Sequence, residues 1–173
     1  MTEIAEIIKN INEASKVLGT PLASGERETH QDSEPSAWFK DESNQVKGTV
    51  YSDLCSVVAT LTVDGREITA LKAAKEASDP ATIVESVQEA MKMRDTMFTC
   101  LSALTDEKMK VGVLSNLITV PGNLYRTVIR VQKDDLFISG RDKGKVVQTL
   151  RDAGVIGSMD PVDAHGIRYP LTK

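Results

Sequence analysis

Apolar positions recur along this chain with two different periods, and the polar stretches between them mark its divisions. Residues 3–18, EIAEIIKNINEASKVL, place Ile4, Ile7, Ile8, Ile11, Ala14 and Leu18 three or four apart, with Glu3, Glu6, Lys9, Asn10 and Glu13 largely opposite. That spacing predicts an amphipathic helix with one apolar stripe, capped by Thr2 and stopped by Gly19. Residues 19–47 lose the pattern. They are rich in Ser, Glu and Asp, with two prolines and two glycines, and predict a flexible, disordered acidic linker. Within them Trp38 and Phe39 stand as an aromatic island, either packing back on the fold or anchoring a partner.

From residue 48 the pattern returns. The β-branched run Val57 to Val63 followed by Asp64-Gly65 predicts strands joined by a tight hairpin. Residues 70–77 are Ala-rich and predict a short helix. Asp79 and Pro80 then open a longer one over 80–104. Its seam, Ile83, Val87, Ala90, Met97, Leu101 and Leu104 with Arg94 filling one place, is coiled-coil-like. Val84, Met91 and Phe98 widen the stripe, leaving two readings, packing in the core or pairing with a second copy as a homodimer. Thr105 to Lys108 reads as a further helix start and residues 119–123 as a turn. LYRTVIRV and LFIS read as a hairpin around QKDD, and DKGKVVQTLRDAG as a helix with Val146, Val147 and Leu150 inward and Gly154 as its cap. VI and IRYPL read as short strands.

These elements predict an α+β fold in four parts. An amphipathic helix occupies residues 1–18 and the flexible acidic linker 19–47. A hairpin with a helical packing or oligomerisation region covers 48–107, and a basic α/β region 108–173.

Composition changes this picture in three ways. The chain has 173 residues and is 40% hydrophobic but only 4% aromatic, so its core must rest on aliphatic side chains. Cys55 and Cys100 lie in apolar runs without metal-ligand spacing, which predicts two reduced core thiols. With no apolar run of membrane-spanning length and an acidic N-terminus unlike a secretory signal, the expectation is a cytoplasmic protein without a membrane partner.

Charge is unevenly distributed. Residues 1–107 carry 10 Lys and Arg against 19 Asp and Glu, a net of 10 − 19 = −9; residues 108–173 carry 11 against 6, a net of 11 − 6 = +5. A basic region beside an acidic one predicts an anionic partner for the former. Arg141, Lys143 and Lys145 concentrate in what would be the first turn of the last helix, where the helix dipole disfavours cations unless an anion is present. The loop 140–145, GRDKGK, is not a phosphate loop of the G-x-x-x-x-G-K-[ST] type, because its glycines are one residue too close and Val146 replaces the hydroxyl.

KGKVVQTLRDAGVI, a polar loop, and then HGIRYPLT resemble the end of a winged helix-turn-helix domain, over residues 135–173. The resemblance implies nucleic-acid binding, with Arg141, Lys143, Lys145 and Gln148 on a recognition helix facing a groove and Lys133, His165 and Arg168 flanking it. A β-β-α-β arrangement accounts for the same residues without nucleic acid.

Catalytic chemistry finds no foothold. His30 and His165 belong to no metal or nucleophile motif, the adjacent Asp134 and Asp135 would point to opposite faces of a strand, and Asp160 and Asp163 read as a solvated turn. The expectation is therefore a protein that is not an enzyme and needs no cofactor or metal, binding DNA or RNA through its basic C-terminal region as a regulatory or accessory factor. The alternative is a protein-interaction adaptor, such as a viral or phage accessory or assembly factor. It would dock through Ile4, Ile7, Ile8 and Ile11 of the N-terminal helix and through Trp38 and Phe39.

Overall fold

A computed structural model describes residues 3–27, 35–106, 109–114, 117–120, 126–158, 161 and 165–172. Among them the chain is mixed α+β, with three helices and two antiparallel five-stranded sheets. It divides into two compact units, Met1–Thr60 with Ala70–Met91, and Leu61–Thr69 with Lys92–Lys173. No helix of the described residues is long and apolar enough to cross a membrane.

The first unit opens with α1 (Ile4–Leu18), which buries Ile7, Ile11 and Ala14 and ends at Gly19 in the left-handed conformation, its N–H donating to Ser15 and Lys16 carbonyls. Glu3 holds the N-cap position; the expected cap, Thr2, lies outside the described residues. β1 (Leu22–Glu26), β2 (Ala37–Asp41), β3 (Val46–Val50), β4 (Cys55–Val63) and β5 (Arg66–Lys75) follow as a meander. α1 packs against β1 and β2.

One face of this sheet is dry. Ala37, Phe39, Val46, Val50, Cys55, Val57, Ala59, Leu71 and Ala73 are all buried, and they alternate with exposed or half-exposed neighbours as a strand requires. The register aligns Phe39 with Gly48 and Gly48 with Val57. Gly48 leaves room for the Phe39 ring: a Cβ there would stand 2.1 Å from it. Burying that phenyl stabilises the unit by about 1.5–3 kcal/mol.

The linker expectation for residues 19–47 is corrected here, since β1, β2 and the start of β3 lie inside it. Residues 28–34, and His30 with them, fall outside the described residues. A sheet with one wet face needs only every second residue to be apolar, so Leu22, Ala37, Phe39 and Val46 suffice where the averaged composition looks unfoldable. The N-terminal docking surface is corrected as well. Ile7 and Ile11 are fully buried on the chain's own sheet, Ile4 and Ile8 are half-buried, and Phe39 is 1% exposed; of the six proposed anchors only Trp38, at 36%, faces solvent.

Of the Ala-rich segment 70–77, residues 70–75 belong to strand β5 and none is helical, because the Asp64-Gly65 hairpin carries the chain back along β4. Both turn residues have positive φ, 52° and 78°. Lys75 pairs with Glu89 at 2.8 Å and Glu85 at 3.6 Å on the following helix.

α2 (Pro80–Asp106) starts where expected. The Thr82 N–H donates to the Asp79 carboxylate at 3.3 Å, and the Thr82 hydroxyl bond holds that carboxyl below its usual range. Ile83, Val87, Ala90, Met97 and Leu104 of its seam are buried within the chain, which is the core-packing outcome, while Phe98 stays exposed. Thr105 and Asp106, where a further helix start is expected, instead form the last turn of α2, and residues 107 and 108 lie outside the described residues. The second unit continues with β6 (Gly112–Leu114), β7 (Leu117–Val120), β8 (Thr127–Gln132), β9 (Asp135–Ser139), α3 (Lys143–Asp152) and β10 (Arg168–Pro170), its sheet ordered β10-β9-β8-β7-β6. Residues 121–125, most of the turn expected over 119–123, lie outside the described residues.

The Phe39–Gly48 contact sets a measurable constraint. Gly48→Ala should lower stability by about 1–3 kcal/mol, read as a fall in the urea midpoint, because the ring must move. Adding Phe39→Leu should recover part of that loss; a strictly additive double mutant would mean that the two residues do not meet.

Candidate nucleic-acid interface

The second sheet also has one dry and one wet face. Ile118, Ile129, Val131, Leu136, Ile138 and Tyr169 are buried. The intervening positions are more open, and the register sets Arg130 opposite Phe137 and Phe137 opposite Arg168. The Arg130 guanidinium lies 4.6 Å from the Phe137 ring centroid, a cation–π contact. The wet face thus carries an arginine–aromatic–arginine row across three strands.

β8 turns into β9 through Lys133 and Asp134, the hairpin that the sequence predicts. The chain leaves β9 through Gly140, whose φ is +126° and where a Cβ would stand 2.4 Å from the Arg126 carbonyl oxygen, so only glycine fits. The Asp142 N–H donates to the buried Thr127 hydroxyl at 2.8 Å, seating the start of α3 beside β8. Val146, Val147 and Leu150 are buried as expected, and α3 packs on β9. The helix closes with Gly154 at φ 76°. Its N–H donates to the Arg151 carbonyl and that of Val155 to Leu150, the paired bonds of a Schellman motif. Ile156 then bridges to Leu171, and the end of the chain runs back along β9 as β10.

Among the expected recognition-helix residues, α3 brings together less than a groove-reading surface needs. The Lys143 ammonium turns inward, donating to the Gly166 carbonyl and standing 5.4 Å from the Tyr169 ring centroid. Gln148 donates to Asp152 at 2.8 Å. Arg141 and Lys145 are exposed. Lys133 is exposed too, but at the opposite end of β9, five extended residues or about 16 Å away. Arg168 is half-buried in the row on the sheet, and His165 is exposed. The element before α3 is the β8–β9 hairpin, so residues 127–170 follow the β-β-α-β arrangement where a helix-turn-helix would place a helix.

Arg130 and Phe137 escape a motif search because their signal is positional. They sit at outward steps of LYRTVIRV and LFIS and become neighbours only through the register. Among the described residues, neither Arg130, Lys133, Arg141 nor Lys145 is ion-paired, while Asp134 pairs with Lys92.

Both cysteines are free and buried, as expected. Burial pushes the Cys55 thiol up to about 11, partly offset by its hydrogen bond with Ser86, and the Cys100 thiol up to about 12. Neither is a poised nucleophile. Among the described residues no group of three or more His, Cys, Asp or Glu is placed to hold a metal ion; Asp160 and Asp163 lie outside them. Comparisons with protein-family models, curated proteins and solved structures returned no match.

The thiols predict a pH dependence. Both stay protonated in the folded chain while an unfolded thiol ionises near 9.0, so their contribution to stability is complete below that pH and is lost as pH rises towards 11–12. The unfolding free energy from urea titration should fall above pH 9, by about 1.4 kcal/mol per pH unit for each thiol. Cys100→Ala should fall less steeply than the native chain; equal slopes would contradict the assignment.

Proposed function

We propose that this chain is a non-enzymatic nucleic-acid-binding accessory protein whose contact surface is the wet face of the second sheet. The observation that carries the reading is the Arg130–Phe137–Arg168 row, set in the stretch of the chain with net charge 11 − 6 = +5. A half-exposed aromatic beside the exposed Arg130 guanidinium offers a base a stacking plane and its phosphate a planar, bidentate donor. Lys133 at the hairpin turn and Arg141 and Lys145 at the start of α3 extend positive charge to either end of β9. This replaces a groove-reading helix with a sheet surface, and it accounts for why Lys143 can be spent inside the fold.

The test is fluorescence anisotropy of labelled single-stranded and duplex oligonucleotides with the full chain across a salt series. Binding should weaken linearly in log–log form, and Arg130→Ala should reduce the slope by about 0.7–0.9, one phosphate contact. Lys143→Met should leave the slope unchanged and instead cost roughly 1 kcal/mol of stability through the lost bond to Gly166. Affinity that is independent of salt, or untouched by Arg130→Ala, would refute the reading.

A further inference from the structure

The first sheet also has a wet face, and it is not an ordinary solvated one. Trp38, Lys40, Lys47, Thr49 and Ser56 share it, with Arg27 at its margin, and together they line an open hollow of about 500 Å³, a volume that suits a nucleotide-sized group. Among the described residues, no carboxylate lines it. Among the described residues, none of Arg27, Lys40 and Lys47 is ion-paired. Lys40 and Lys47 are direct cross-strand partners, a like-charge pairing that costs stability in a sheet unless an anion lies between the two. Trp38 is held flat. Its indole covers Gly25 of β1, where a Cβ would stand 2.7 Å from the ring. Lys40 approaches the ring to 5.5 Å from the centroid.

We propose that this face is a second binding surface, for single-stranded nucleic acid, with a base stacked on Trp38 and phosphates held by Arg27, Lys40 and Lys47. The ligand class rests on the nucleic-acid reading above; the site rests on residues of the other unit. A flat indole seated on a glycine is a stacking platform of the kind that accepts any base, and the flanking cations follow a backbone. A stacked base takes the place Lys40 now holds on the ring and frees its ammonium for a phosphate. A duplex keeps its base faces hidden, and an acidic peptide supplies charge without a plane to lie on the indole. The side chains of Thr49 and Ser56 add hydroxyls that can bond base edges.

Trp38 is the chain's single tryptophan, so its emission reports this surface alone. The full chain is titrated with oligothymidylate, oligouridylate, a thymidine mononucleotide and poly-glutamate, reading Trp38 emission beside the anisotropy of a labelled strand. Saturable quenching by the strands is expected, with much weaker quenching by the mononucleotide. Lys40→Ala with Lys47→Ala should weaken strand binding about tenfold at low salt and reduce the salt slope by about 1.4. Trp38→Phe, which keeps Gly25 covered, should weaken it several-fold. Arg130→Ala should leave the quenching in place. Strand binding with unchanged Trp38 emission and an unaffected lysine double variant would overturn this inference and leave the earlier reading standing. No strand binding at any salt would overturn both. Quenching by poly-glutamate or the mononucleotide as tight as by the strands would overturn the choice of ligand.

Discussion

An antiparallel sheet that buries one face must leave the other in water, and that alternation runs through β2, β3 and β4 of the first sheet and β7, β8 and β9 of the second. Phe39 over Gly48 makes the constraint concrete. The ring fits only because the facing residue has no side chain, and a slip of one residue would carry every buried side chain of β2 into solvent. The same register that dries one face therefore decides which residues meet on the other. Trp38, Lys40 and Lys47 share a surface because Phe39 and Val46 do not, and Arg130 meets Phe137 because Ile129 meets Ile138.

Each of the two sheets is an antiparallel meander of five strands, with α3 added before the last strand of the second. The charge they carry differs. The second unit lies mostly in the basic stretch and places its arginines beside phenylalanine. The first lies in the acidic stretch yet gathers three cations and the only tryptophan around one hollow, with no ion pair to them among the described residues. Charge gathered beside an aromatic on an open sheet is more informative than net charge, because it survives the sign of its surroundings.

Much of the fold was legible in the sequence wherever one period ran long enough. The first helix, the helix from Pro80, the Asp64-Gly65 hairpin, the QKDD hairpin, the last helix with its Gly154 cap and the strand within IRYPL all stand where the pattern puts them, while VI contributes only the single bridge from Ile156 to Leu171. Failures came where local preference and tertiary pairing disagree. Ala and Lys favour a helix over 70–77, but Leu71 and Ala73 sit at a two-residue period and a hairpin delivers them to β4. Residues 19–47 were misread because averaging hides a half-wet strand. The basic site was legible as a region and not as a surface, since Lys143 was counted as free charge although it bonds inside the fold, while Arg130 and Phe137 acquire meaning only from their register.

The central claim is that the wet sheet faces, and not the last helix, meet nucleic acid. Amide chemical-shift mapping of the isotope-labelled full chain with a short single-stranded oligonucleotide at low salt tests it most directly. The account predicts the largest shifts at outward residues of β2, β3, β8 and β9, with small shifts along the body of α3. Perturbations confined to α3, or none at a saturating concentration of strand, would contradict it.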